Sequence, residues 1–389
     1  MRIIYFSKNY TPHDYRFLSS LSKTKHEIFY LRLESNKRQV EDRPVPENVH
    51  QILWAGGQRE FRWSDLPRLV FDLRRIIRKI KPDLIHAGPI QTCAFIAALS
   101  GFRPILTMSW GYDLVQDADK SKWMKWVTRY TLKRSAYFTS DAQFTRDRAV
   151  AFGMDPQKTV IFPWGTDIEH FVPKSVESGR LKAEPANRKS KIQNPKSVTL
   201  FCSRTWEPIY GVDVLAKAFV KAGRVDPDVN LILLGGGSQG AKIRQILMNG
   251  GVMERVHFGG QVSQKGLPRW YHMADLYISP SHVDGSSVTL MEALASGLPC
   301  LVSDIAGNKE WVEDGVNGWL FRDGDVDDLA ENILNAIKNR KSFKKISEAA
   351  RKTAEQKADW NKNFGKLLRT YDLIMSLRGG VSPTKQSPS

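Results

Sequence analysis

Two acidic residues, Asp284 and Glu292, flank a short polar turn, Gly285-Ser286-Ser287, in the stretch from 276 to 321. The pattern there reads strand (276–281), Gly/Ser turn, helix (about 288–296) and strand (299–304), with a glycine-containing break at each junction. Ser286 or Ser287 is placed to cap the helix, and the backbone N–H groups at its start, including that of Val288, lack intrahelical acceptors. An anion finds converging donors and a favourable dipole at such an end. Glu292 lies one turn into the helix on the face of Val288, and helical side chains lean toward the N-terminus, so its carboxylate leans toward the same end. Two carboxylates would repel a phosphate that they touched; their expected partners are hydroxyls beside it. A sugar nucleotide has that arrangement, with ribose on one side of a diphosphate and a hexose on the other.

In this stretch the chain resembles the family 4 retaining glycosyltransferases, whose signature places two Glu residues within E-G-x-G/S-x-x-x-L/M-E-A-M/L-A-x-G-x-P-V-V. Here the pattern runs Asp284-Gly285-Ser286-Ser287, then Met291-Glu292-Ala293-Leu294-Ala295-Ser296-Gly297, then Pro299-Cys300-Leu301-Val302. The spacing is kept and the first Glu is Asp. The resemblance implies that Glu292 binds ribose hydroxyls and Asp284 the hydroxyls of the donor sugar. It also covers SRTWEPIYG, which is similar to the opening of the family's second domain, where an Arg and a Lys sit on the donor diphosphate. Arg204 matches; Tyr210, just before Gly211, occupies the Lys place. An Arg fork suits bidentate phosphate contact and a Tyr donates one hydrogen bond. Lys309 is a candidate for the missing positive charge.

Leu233-Leu234-Gly235-Gly236-Gly237-Ser238 follows a strand and opens a helix, but it lacks the G-x-G-x-x-G spacing of a dinucleotide loop. The family has a similar glycine turn lining the donor pocket, which brings in Gly236. Gly260, with Gly259, falls where the family surrounds the nucleobase, and lets backbone approach closely. The N-terminal resemblance is looser. TMSWGYD stands where relatives carry T-x-H-G-x-D: Asp113 is kept and Trp110 replaces the His, so no His-dependent contact to the donor sugar comes from this position. Asp113 is expected either to orient an acceptor hydroxyl or to cap a helix. In place of the family's glycine pair, a loop after the first strand supplies His13, Asp14 and Arg16 on the acceptor side.

The elements that must position these residues alternate along the chain. Strands are expected near 2–7, 27–33, 49–53, 83–87, 104–109, 137–140 and 160–163, with helices near 65–80, 90–99, 121–133 and 142–152. A second series has strands near 198–202, 230–234, 256–258, 276–281 and 299–303. Such alternation predicts doubly wound parallel sheets, with ligands at the carboxyl ends of the strands. Two Rossmann-like halves make the α/β architecture called GT-B, for which the resemblance implies a site in a central cleft and a last helix that returns to the first domain. The expected domains are 1–173 and 198–377. Between them 174–197, rich in Lys, Ser and Pro, reads as a flexible linker, and 378–389 as a disordered tail.

A net charge of +17 calls for an anionic partner: a phosphate-bearing substrate, an anionic membrane surface or nucleic acid. No compact basic motif or aromatic sheet face points to nucleic acid. No apolar run reaches membrane-spanning length, and the N-terminus reads as a strand rather than a signal peptide. The three cysteines, far apart in apolar segments, suit reduced core thiols in a cytoplasmic protein rather than a disulfide or metal. Two basic amphipathic segments, 65–81 and 120–134, fit either domain-surface helices or interfacial helices on anionic lipid. In the second, Trp123, Trp126, Val127 and Tyr130 recur at helical spacing.

The expected activity is hexosyl transfer from a nucleotide-diphosphate sugar to a glycan or lipid-linked acceptor. The resemblance implies retention of configuration and no metal or other cofactor. Alternatives on the same fold are a sugar-nucleotide epimerase or a phosphorylase; outside enzymes, a basic membrane or nucleic-acid binding module.

Overall fold

The structure, a computed structural model, describes residues 1–35, 41–177 and 197–378. The expected linker at 174–197 and tail at 378–389 lie almost wholly outside these residues. The chain divides into two compact units: Met1–Phe162 together with the part from Phe364 onward, and Pro163–Asn363. The boundary thus falls eleven residues earlier than 173, because 163–173 packs with the second unit: Phe171 lies in the same apolar cluster as Tyr271 and Leu294.

The first unit carries β1 (Arg2–Ser7), β2 (Glu27–Arg32), β3 (Val49–Gln51), β4 (Leu84–Ala87), β5 (Ile105–Met108), β6 (Tyr137–Ser140) and β7 (Thr159–Ile161). Its helices are α1 (Pro12–Leu21), α2 (Leu66–Ile80), α3 (Phe95–Ser100), α4 (Tyr112–Val115), α5 (Lys122–Arg134) and α6 (Gln143–Ala151). The strands form one parallel sheet in the order β3-β2-β1-β4-β5-β6-β7. β1, RIIYFS, is buried after its first residue, as a parallel strand covered on both faces must be. On α2 the apolar stripe Leu69, Leu73, Ile76 and Ile80 turns inward, leaving Arg68, Arg74, Arg75 and Arg78 exposed.

The second unit carries β8 (Val198–Cys202), β9 (Val229–Leu234), β10 (Val256–Gly260), β11 (Leu276–Ser279), β12 (Cys300–Ser303) and β13 (Trp319–Phe321). Its helices are α7 (Lys174–Glu177), α8 (Val212–Val225), α9 (Gly240–Asn249), α10 (Leu267–Met273), α11 (Val288–Ala295), α12 (Ala306–Lys309), α13 (Val326–Lys338) and α14 (Phe343–Lys357). The sheet is again parallel, in the order β10-β9-β8-β11-β12-β13. β13 was not expected: three residues are too short to carry a period. Alternation along β8 sends Leu200 and Cys202 into one cluster with Leu215 and Phe219 of α8, and Phe201 into another with Leu290, Met291 and Leu294 of α11. The last helix, α15 (Trp360–Arg378), begins in the second unit and belongs to the first from Phe364.

Inside the first unit, α15 is tied to the sheet by a buried pair. His86 Nδ1 of β4 lies 2.7 Å from the Tyr371 hydroxyl. Burial pushes the His86 imidazole down to about 3 from its ordinary 6.5. The unfolded chain therefore binds the proton more tightly, and stability present above about 6.5 is lost as pH falls toward 3. Denaturant unfolding should show about 2 kcal/mol lost through this residue between pH 7 and pH 5. A His86→Leu variant should lack that component; an equal slope in the variant would refute the assignment.

All three cysteines are buried and unpaired, and burial pushes the Cys202 thiol up to about 11. Core thiols were expected and are found.

Candidate active site

β8 and β11 are neighbours in the second sheet, with Leu276 opposite Leu200 and Tyr277 opposite Phe201. Just beyond their carboxyl ends lie Arg204 and Asp284, the switch point of a doubly wound sheet. Arg204 is 8% exposed. Its Nη1 donates to the Ser287 hydroxyl at 2.7 Å and to Thr289 Oγ1 at 3.1 Å. Its Nη2 lies 2.6 Å from Asp284 Oδ2, and the Tyr210 ring lies against the guanidinium at 4.2 Å. Thr289 Oγ1 also accepts from the Tyr277 hydroxyl at 2.7 Å. The loop after β8 is thereby tied to the first turn of α11.

Ser287 is the N-cap residue of α11, yet its side chain makes no capping bond; its oxygen is taken by Arg204. The first intrahelical bond runs from Met291 N to Ser287 O, so the N–H groups of residues 288–290 have no acceptor within the helix. Trp311 Nε1 donates to Ser286 Oγ at 3.2 Å. Arg204 Nε is buried without a hydrogen-bond partner among the described residues. A guanidinium with a donor left over beside a helix N-terminus is the chemistry that a phosphate needs.

The electrostatics are those of a buried pair. Burial works against the Arg204 charge, and Asp284 reverses the balance, holding the guanidinium more firmly protonated than a free arginine. Burial raises the Asp284 carboxyl above its ordinary value, opposed by Arg204, the Ser287 hydroxyl and the Gly285 amide. Asp284 was expected to reach sugar hydroxyls. In this structure its first partner is Arg204.

Glu292, 1% exposed, accepts from the Tyr271 hydroxyl at 2.9 Å and from Gln264 Nε2 at 3.4 Å. A carboxylate offers about four acceptor positions, the chemistry that a ligand hydroxyl needs. The glycine turn joins the same corner: Trp206 N donates to Gly236 O at 3.0 Å, and Gln239 N returns to Trp206 O at 2.9 Å. Gly260, at φ +64° beside a register shift between β10 and β9, accepts from Gly235 N at 2.6 Å. Gly211 sits at φ +60°, where an added methyl would press on the carbonyl oxygen of Pro280. Gly211→Ala should cost about 2–4 kcal/mol of stability, measurable by denaturant unfolding; a loss below about 0.5 kcal/mol would contradict this packing.

Three of the expected residues have protein partners in this structure. Lys309 pairs with Asp304 at 3.4 Å, with its side chain half exposed, and its helix α12 packs on the turn at 284–285 through Gly307. Tyr210 meets Arg204 through its ring face, so it stabilises the existing charge where a hydrogen bond was expected. Asp113, in the first unit, is fully buried. Its Oδ1 accepts from Ser109 Oγ at 2.6 Å, Trp110 N at 3.1 Å and Leu114 N at 3.0 Å, and its Oδ2 from Ile90 N at 3.1 Å. Burial pushes this carboxyl up to about 6, against those donors. It organises the start of α4, the cap-like alternative.

His13 and Arg16 stand on α1, not in a loop: Thr11 and Asp14 form a capping box that starts the helix early. The His13 and Trp110 rings meet edge to face at 6.1 Å, so these two candidates do come together. Sequence reasoning missed Thr289, Tyr277, Tyr271 and Gln264. Both tyrosines sit among apolar residues and read as core; only their hydroxyl partners show another use.

Residues 183–353 match the family model "Glycosyl transferases group 1" and residues 2–142 match "Glycosyl transferase 4-like". The chain belongs to the family 4 glycosyltransferases, with the GT-B fold. It is 24% identical over 319 residues to the GDP-mannose-dependent alpha-(1-6)-phosphatidylinositol monomannoside mannosyltransferase of Mycobacterium tuberculosis, covering 77% of this chain and 78% of that protein. It is also 24% identical over 289 residues to the UDP-Gal:alpha-D-GlcNAc-diphosphoundecaprenol alpha-1,3-galactosyltransferase of Escherichia coli, covering 70% of each. Among solved structures, Anabaena HepE in complex with UDP superposes with a TM-score of 0.75 at 18% identity, over 96% of this chain and 100% of that one.

Proposed function

We propose that this glycosyltransferase moves a hexose from a nucleotide-diphosphate sugar to a hydroxyl of a glycan or lipid-linked acceptor, with retention of configuration and without a metal ion, in the cytoplasm. The observation that carries the reading is the convergence of the Arg204 guanidinium and the α11 start at Ser287, with Glu292 one turn away. The departing diphosphate would take its charge stabilisation from the guanidinium, the N–H groups at 288–290 and the helix dipole. Because Asp284 already neutralises Arg204, donor binding has to draw the guanidinium from the carboxylate toward the phosphate. The acceptor hydroxyl would attack from the face that the diphosphate leaves, and a diphosphate oxygen would take its proton. Glu292 would hold the ribose.

The M. tuberculosis and E. coli relatives are named for a phosphatidylinositol monomannoside and a diphosphoundecaprenol acceptor, which supports a lipid-linked acceptor here. The test incubates the protein with a panel of nucleotide sugars and lipid-linked acceptors, with and without chelator, and follows nucleoside diphosphate release and the anomeric configuration of the product. Acceptor-dependent release, an unchanged anomer and insensitivity to chelator are expected. Release that needs no acceptor, or an inverted product, would overturn the reading.

A further inference from the structure

The basic aromatic helix has a geometry that the transfer reaction does not use. On α5 the residues Val127, Thr128, Thr131 and Leu132 are buried. The opposite stripe places Lys122, Trp126, Arg129 and Lys133 at i, i+4, i+7 and i+11, with Trp123 and Tyr130 alongside. The aromatic residues form a ladder: Trp123 stacks on Trp126 at 5.0 Å, and Trp126 on Tyr130 at 5.2 Å. Buried Phe95 of α3 meets Trp123, Trp126 and Tyr130 edge-on from beneath. Trp63, in the turn before α2, extends the ladder with an edge contact to Trp123 at 5.8 Å.

Trp63, Trp123 and Trp126 are 40%, 48% and 47% exposed, a contiguous aromatic surface left in water at a cost. Lys122, Arg129 and Lys133 are exposed and pair with no acid among the described residues, whereas Lys120 and Lys125 are engaged by Asp117 and Asp119. We infer that this face of the first unit docks on an anionic bilayer, the tryptophan ladder entering the headgroup layer while Lys122, Arg129 and Lys133 meet lipid phosphates. Rigid half-exposed indoles beside cations that no acid neutralises among the described residues suit an interface that is apolar below and negatively charged above. Among the described residues no helix is long and apolar enough to cross a membrane, so the attachment is peripheral. The inference deepens the lipid-linked acceptor reading by naming the surface that meets the lipid.

The test is co-sedimentation of the full chain with vesicles of phosphatidylcholine alone or with phosphatidylglycerol, at low and high salt. Binding that requires phosphatidylglycerol and weakens with salt is expected. Lys122→Gln/Lys133→Gln should lower partitioning by about fivefold for each charge removed, and Trp123→Ser/Trp126→Ser should lower it more than tenfold at unchanged salt dependence. Circular dichroism checks that both variants are folded. No sedimentation of the wild type with phosphatidylglycerol vesicles at low salt, or equal sedimentation of all variants, would overturn the proposal. So would quenching of the ladder's fluorescence by a soluble anionic oligosaccharide but not by vesicles. Vesicle binding is read without any transfer, so its failure and that of the transfer reading are distinguishable.

Discussion

Arg204→Ala is expected to slow sugar transfer by about a hundredfold to a thousandfold, the loss seen when one preorganised donor is removed from a developing anion. The same substitution strips Asp284 of its counter-charge at 2.6 Å, leaving a largely buried carboxylate held only by the Ser287 hydroxyl and the Gly285 amide, which costs up to about 3–5 kcal/mol of stability. The two consequences separate in the double variant. Arg204→Ala/Asp284→Ala should recover part of the lost stability, because no charge is stranded, while transfer stays slow. Measured together by denaturant unfolding and initial rates, these outcomes distinguish a catalytic guanidinium from a merely structural ion pair. Transfer within a few-fold of wild type in a folded Arg204 variant would remove the site from consideration.

Glu292→Ala should lower kcat/KM for the nucleotide sugar by roughly a hundredfold, chiefly through a weaker donor KM, since charge-assisted hydrogen bonds to a ligand diol are worth about 1.5–3 kcal/mol each. The fold should tolerate the change. The Tyr271 hydroxyl, which donates to Glu292, is also 3.0 Å from Thr289 O and keeps that acceptor. A nucleoside diphosphate titration reads the effect without turnover: its affinity should fall with that of the sugar nucleotide. An unchanged affinity would mean that the Glu292 carboxylate serves only its partners within the protein, Tyr271 and Gln264 among them.

Much of this was legible beforehand. Parallel strands buried on both faces appear as apolar runs, and β1, β6 and β8 begin and end where those runs do. The turn at 284–287 and the helix after it follow from glycine, serine and an apolar stripe. What was misplaced shares one feature: each case depended on which neighbour a polar side chain would find. Lys309 was a candidate for the missing positive charge, and only the structure shows that its partner is Asp304. Asp113 was left between two uses, and four donors from three segments chose one.

The amino-acid sequence by itself determined most of the elements, the parallel character of both sheets and the placement of a helix start next to Glu292, because these depend on local propensity and on periodicity. Only the tertiary structure decided that Arg204 and Asp284, eighty residues apart, share one buried contact, that Ser287 gives its hydroxyl to the arginine rather than to its helix, and that the α5 tryptophans stack outward. Charges and hydroxyls in a folded core pair with whatever the crossing of strands brings within about 3 Å, and that proximity has no trace in the order of residues along the chain.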